Sequence, residues 1–578
     1  MSGFHHKQTI KPRHCPIPAK WSNLMQQNHA IAWLTASVAG AWLAASQPAM
    51  AKDTLVIGVA QFPASMNPYI SSQTVQYYTI GFGSRPVSAF DTDAKPVCLL
   101  CTELPTLENG LARIEDTPGG GKGLAVTIKL RPDLKWGDGV PVTARDVAFT
   151  WHVGADPAAG FSNNYAWSRA SSVDVVDYHT AVLHLPRTLV TYQIWDYLLP
   201  EHIEGPVIAG GGGALDYINH TVYNAAPTTP GLWNGPYVVS TYKSGELVEL
   251  TPNPHWPGPP PALKRIVVRL VDNTAALMAN LLSGDVDMTP SGIGITTDQA
   301  VALEKDHPGA FRFIYRPALS YERIDVRADN PLLADKRVRQ ALLQAVDRKT
   351  LIARLFSGHA TLAQAWINAI EPNFDPDVTF PPYDPANARK LLADAGFTPG
   401  PDGICRNPAG ERLSLEFATT AGNRIRELSQ VVMQNAWKAV CVEVVIRNQP
   451  ARSFFGELTR KRAFTGLIEY ANSTRVGLVP TLFYASSAIP TAANNYNGNN
   501  LSGLSNPRLD AVLAQAETEL DPAHQRSLWA EMQRIYVDEM LELPLYFRED
   551  PDIVPTWLQG YEATGKEDYD SFWAERWH

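Results

Sequence analysis

Between Gly123 and Val153 the chain reads as a strand, a tight turn and a capped helix, and this succession constrains the fold more than any other stretch. Ala125, Thr127 and Lys129 alternate with Val126, Ile128 and Leu130, the period of two of a half-buried strand. Gly137, Asp138 and Gly139 supply the backbone freedom of a tight turn. Thr143 and Asp146 fit a capping box, with a hydroxyl capping the helix and an acid three residues on, at the positive end of its dipole. Similar punctuation recurs. Asp384 precedes Pro385, which sits where a missing N–H costs nothing, and Gly396 is placed to end that helix in a left-handed conformation. Asp335 caps a third helix, in which Val338, Leu342, Ala345 and Val346 fall on one face.

Between these helices lie short apolar runs that suit strands: 52–59, 180–185, 247–250, 265–270, 413–417, 442–446 and 543–547. Strands alternating with helices predict an α/β fold. A chain of 578 residues exceeds what one core supports, so two or three lobes are expected. No internal repeat is visible.

Several motifs, taken in order, resemble those of the family 5 extracellular solute-binding proteins, the class that includes oligopeptide- and dipeptide-binding proteins of ABC importers. The first is Leu130-Arg131 through Lys135-Trp136, Asp138-Gly139, Pro141-Val142-Thr143-Ala144 and Asp146-Val147. Gly235-Pro236-Tyr237 with Asn253-Pro254-His255-Trp256 follows, then Leu282-Ser283-Gly284-Asp285-Val286-Asp287. Asp335 to Ala341 with Val346-Asp347-Arg348 is similar to a further family segment, as are Tyr383-Asp384-Pro385 and Leu391 to Phe397. The resemblance implies a two-lobe clamp with a discontinuous first lobe and an inserted third domain. On that pattern 52–92, 230–318 and 543–578 form the first lobe, 93–229 the insert and 319–542 the other lobe. Crossovers near residues 230, 318 and 542 would then act as the hinge.

The N-terminus reads as a secretory signal. Residues 1–51 carry Lys7, Lys11, Arg13 and Lys20 but no Asp or Glu, then an apolar run from Ile31 to Ala45 and the cleavage pattern Ala49-Met50-Ala51. Cleavage before Lys52 is expected; the alternative is an uncleaved anchor, for which the run is short. Taking those four basic residues from the chain's 49, against 58 acids, leaves a mature net charge near −13. That balance argues against nucleic-acid binding and against adhesion to an anionic membrane. A monomer diffusing in the periplasm is expected. Cys98, Cys101, Cys405 and Cys441 remain after cleavage. An even number in an exported chain suggests two disulfides, and four cysteines allow three pairings. Local pairing of Cys98 with Cys101 would leave Cys405 with Cys441; the rival reading of Cys98-Leu-Leu-Cys101 is a redox or metal pair.

There is no H-E-x-x-H helix, nucleophile elbow or phosphate loop, so a binding protein without catalysis is expected, with no metal and no cofactor. The competing class is a secreted hydrolase. The resemblance implies a peptide enclosed between the lobes and delivered to a membrane permease. Dipeptide-binding relatives pair the ligand's ammonium with an Asp in a segment that corresponds here to 464–484. That segment lacks the Asp, which leaves Glu469, Tyr470, Asn472 and Arg475 as its candidates and makes a longer peptide, an oligosaccharide, an opine or a metal chelate alternatives. Asn497 and Asn500 lie in an amide-rich loop suited to peptide backbones or sugar hydroxyls. Gln73, Tyr77, Tyr78 and Arg85 follow the first strand, and Tyr321 and Glu322 lie near a crossover. Glu469 is the first candidate for a ligand cation.

Overall fold

The computed structural model describes residues 52–71, 73–156, 161, 164–210, 213–494, 496–564 and 569–578; the expected signal segment lies outside them. Three sheets organise the chain. The strand Thr54–Val59 pairs in parallel with Arg265–Leu270, and antiparallel Leu247–Pro252 and Tyr237–Lys243 complete a four-stranded sheet. Gly58 lies under the helix Thr274–Ser283 where any Cβ would collide with the Leu277 side chain, so the close helix–strand packing requires glycine there. A second four-stranded sheet runs in the order Ala112–Asp116, Lys122–Lys129, Thr180–Leu185, Ser172–Val175. The helix Ala144–Gly154 packs on it, and Thr143 and Asp146 form the capping box.

The third sheet has six strands in the order Ala360–Leu362, Glu542–Arg548, Ser320–Val326, Leu467–Ser473, Ser414–Ala418, Glu443–Ile446. Its helices start where the sequence places them: Asp335 and Asp384 accept backbone N–H bonds at the N-termini of Lys336–Gln344 and Pro385–Asp394, and Gly396 has φ +90°. One feature departs from the sequence reading. Residues 543–548, expected in the first lobe, belong to the strand Glu542–Arg548, which pairs with Ser320–Val326 and Ala360–Leu362 in this sheet. The chain leaves the sheet only after Arg548, because the strand's buried side chains complete this core.

Two large hydrophobic cores result. The first two sheets share one, from Leu55 and Val126 to Trp577, and the six-stranded sheet has its own, around Trp437, Trp529 and Tyr536. The fold is thus α/β, built around two separate cores. The chain passes between the two cores at 315–319 and at 549–551. Beside those passages Phe311–Ile314 pairs antiparallel with Asp552–Pro555. Of the crossovers expected near 230, 318 and 542, the residues around 230 stay within the first core, and the other two correspond to these adjacent connections. Cys98 lies beside Cys101, and Cys405 beside Cys441, with Cα atoms 5.4 and 5.1 Å apart.

Candidate functional site

A cleft runs between the two bodies. Its first chamber, about 120 Å³, is walled on one side by Tyr77, Arg169, Asp196 and Tyr569 and on the other by Arg475, Val476 and Leu478. A second chamber of about 230 Å³ shares Arg475 and Leu478 and continues past Tyr321, Trp366, Asn472 and Tyr484. The helix Thr74–Gly83 presents Tyr77 as the middle ring of a near-parallel stack, 6.4 Å from Tyr197 and 6.0 Å from Tyr569. Such a wall offers flat apolar surface with phenolic edges, suited to covering a ligand of mixed polarity.

The cleft also carries both signs of charge. Burial raises the Asp196 carboxyl above its ordinary range, while Arg475 and Arg169 pull the other way. Arg169 is pinned: Nη1 donates to the Thr191 carbonyl (2.8 Å) and hydroxyl (3.0 Å), Nη2 donates to the Ile194 carbonyl, and the guanidinium lies 4.3 Å from the Trp195 ring centre. Burial lowers its pKa to about 10, partly offset by Tyr165 and Asp196. Arg475 is exposed where the two chambers meet.

Away from those two connections, the bodies touch directly. Arg187 Nη1 donates to the Glu517 carboxylate at 2.6 Å, Thr188 Oγ1 to the Thr518 carbonyl at 3.0 Å, and the Val190 N–H to the Glu517 carbonyl at 3.1 Å. These contacts tie the two bodies together on that side. Among the described residues, no group of three or more His, Cys, Asp or Glu side chains is placed to hold a metal ion, and no helix is long and apolar enough to cross a membrane.

Comparison with known proteins places this architecture. The profile of the bacterial extracellular solute-binding proteins, family 5 Middle, matches residues 121–486, more than half of the chain. The chain belongs to family 5 of the bacterial extracellular solute-binding proteins. Among solved structures it is similar to the oligopeptide binding protein of Thermus thermophilus complexed with a pentapeptide. That likeness has 30% identity and a TM-score of 0.70, and it covers 91% of this chain and 96% of that one. Oligopeptide-binding protein OppA of Mycobacterium bovis is 26% identical over 461 residues, covering 77% of this chain and 73% of that protein. NikA of Brucella suis, solved with Fe(III)-EDTA, shares the fold at 19% identity, with a TM-score of 0.73 over 91% of this chain and 99% of NikA.

Within this family 5 protein the residues singled out from sequence divide sharply. Tyr77 and Arg475 line the first chamber, and Tyr321, Asn472 and Arg475 line the second. Most of the others are engaged within the protein. Gln73 Oε1 accepts from the Ala64 N–H at 2.8 Å at the start of the Thr74–Gly83 helix. Tyr78 packs edge-on against Phe82, and burial, with Asp570 and Asp552 nearby, pushes its phenol well up. Arg85 is buried and donates to Glu575 at 2.7 Å. Tyr470 accepts from Arg323 Nη2 at 2.9 Å, with that guanidinium over its ring. Asn500 is buried and donates from its amide to the carbonyls of Tyr484, Ala485 and Leu504, bracing the loop; Asn497 is exposed.

The largest departure concerns Glu469 and Glu322, both completely buried. Glu322 accepts from Arg426 Nε and from Arg548 Nη2 (2.8 Å). Burial opposes its ionisation, but Arg548 and Arg426 outweigh burial and hold its carboxyl below the ordinary range. Glu469 accepts from Ser429 Oγ at 2.7 Å on the helix Arg424–Ala439, so its side chain faces that helix and not the cleft. Burial, reinforced by the charge on Glu322, raises its pKa to about 8. The sequence reading missed Asp196, Arg169, Tyr197 and Tyr569. A single acid inside the aromatic run Tyr192 to Tyr197 was the signal available for Asp196.

Proposed function

We propose that this protein is the substrate-binding component of an ABC importer, which captures a peptide and hands it to a membrane permease without catalysing a reaction. One observation carries the reading: a family 5 chain encloses, between two separately cored bodies, a cleft with aromatic walls and charges of both signs. A peptide offers complementary features, with charged ends, amides and varied side chains. Tyr77 and Arg475 touch the ligand on this reading, joined by Asp196 and Arg169. The first body comprises 52–92, 230–318 and the chain after residue 549 with the insert 93–229 packed against it; the second comprises 319–548.

The working cycle follows from the hinge. Ligand favours the closed state only to the extent that it binds that state better. Bridging the Asp196 wall and Arg475 supplies this difference, because the two lie on opposite bodies. The protein works as a soluble monomer, exported by the signal segment of residues 1–51 and cut before Lys52, with no cofactor. The test is mass spectrometry of small molecules released on denaturing freshly purified protein, followed by calorimetry of each with the refolded chain. Peptides are expected. A released solute that is not a peptide, together with no heat from any peptide, refutes the proposal.

A further inference from the structure

The residues of the first chamber also indicate which ends of a ligand they receive; this step rests on the reading of the cleft as a peptide site. Asp196 lies between Trp195 and Tyr197, and among the described residues its carboxylate has neither a hydrogen bond nor an ion pair, only the longer-range fields of Arg475 and Arg169. Arg169 is held by carbonyls and by the face of Trp195; among the same residues no carboxylate pairs with it, and its Nε has no partner. Its donors Nη1 and Nη2 are taken up by Thr191 and Ile194.

Among the described residues, one wall of the cleft therefore holds an anion and a cation that each lack a bonded counter-ion. Sheltering such charges is costly unless something pairs with them. A ligand bearing an ammonium and a carboxylate satisfies both at once. A neutral sugar leaves both unpaired, and a polyanionic chelate meets the charge on Asp196. The two adjoining chambers, about 120 and 230 Å³, together fall near the lower end of ordinary ligand pockets, about 300–1,000 Å³, which favours a short ligand. We propose that the ligand is a peptide of two or three residues with both ends free, its ammonium on Asp196 and its carboxylate on Arg169, with Arg475 closing over it from the opposite body.

The experiment is titration calorimetry of mature wild type and Asp196→Asn with dipeptide and tripeptide pools in three forms: free, N-acetylated and C-amidated. The Asp196 carboxylate makes no hydrogen bond among the described residues and its pKa is raised by burial, so the variant is expected to melt no lower than the wild type. If it unfolds instead, the N-acetylated pool on wild type tests the same contact. Free peptides should bind wild type, with N-acetylation and Asp196→Asn each weakening them at least about thirtyfold. The variant should no longer distinguish free from acetylated peptides, since both changes remove one interaction. Amidation should weaken wild type and variant alike. Equal binding of free and acetylated pools to wild type, or unchanged affinity in Asp196→Asn, overturns the assignment. Binding only by peptides of eight or more residues overturns it too, while the peptide-transport reading stands. A non-peptide zwitterion whose affinity falls in Asp196→Asn keeps the anchor and removes the peptide. Binding by no pool and no zwitterion removes both.

Discussion

Glu469→Gln should stabilise the protein and leave ligand affinity unchanged. The side chain is fully enclosed, with Oε1 bonded to Ser429 and Oε2 without a partner among the described residues. Its pKa stands at about 8, against an ordinary value of 4.5, through burial first and the neighbouring Glu322 charge second. The folded protein therefore holds a proton that the unfolded chain releases anywhere between those two values. Stability from this group is full below pH 4.5 and is lost as pH rises to about 8. Each pH unit in that window is worth about 1.4 kcal/mol, so at pH 7 the carboxyl costs about 3 kcal/mol relative to a neutral group of the same shape. The glutamine amide keeps the acceptor for Ser429 and never ionises, and its advantage should be near zero at pH 4.5 and about 2–3 kcal/mol at pH 7. Scanning calorimetry at pH 4.5, 7 and 8 should show the transition of the 319–548 body unchanged at the lowest pH and raised by about 5–10 °C at the others. An equal shift at every pH, or a lower transition at pH 8, would refute the reasoning. A tenfold loss of affinity with unchanged stability would put Glu469 back in the cleft.

Replacing Cys405 and Cys441 by alanine opens the expected bridge between residues 36 apart, which the chain-entropy account values at about 4 kcal/mol; calorimetry should show the second body melting earlier and the first unmoved. Gly498→Ala should lower that same transition by at least about 2 kcal/mol, because Gly498 has φ +118° and an added Cβ would strike the Ala488 carbonyl. Glu517→Ala removes the contact to Arg187, so small-angle scattering of the ligand-free variant should give a larger radius of gyration than wild type, with the difference vanishing at saturating ligand. Equal radii without ligand would show that the contact bears no load. N-terminal sequencing of exported material should begin at Lys52; a start at Met1 in membrane fractions would favour an anchor.

Local chemistry was legible in the chain itself. Caps at Thr143, Asp335 and Asp384 and the left-handed Gly396 each involve residues a few positions apart, and the structure forms them as read; the strand Lys122–Lys129 forms too, but both its faces are buried over 123–126. The ordered motifs carried the family for the same reason, since they are largely the caps and turns of the scaffold. The cleft was harder. Tyr77, Arg169, Asp196, Arg475 and Tyr569 come from five distant segments and meet only after two cores have formed and folded toward each other. Glu469 shows the limit most sharply. Along Leu467–Ser473 side chains alternate between two faces, and the sequence is equally consistent with either facing the ligand. Pairing of Asn472 with Tyr321 and packing of Ser429 against Glu469 decide the matter, turning Asn472 to the second chamber and the carboxyl into the protein. The sequence by itself determined the elements, their caps and the scaffold; only tertiary packing decided which face of each strand meets the cleft, because a strand's period of two fixes alternation but not its sign.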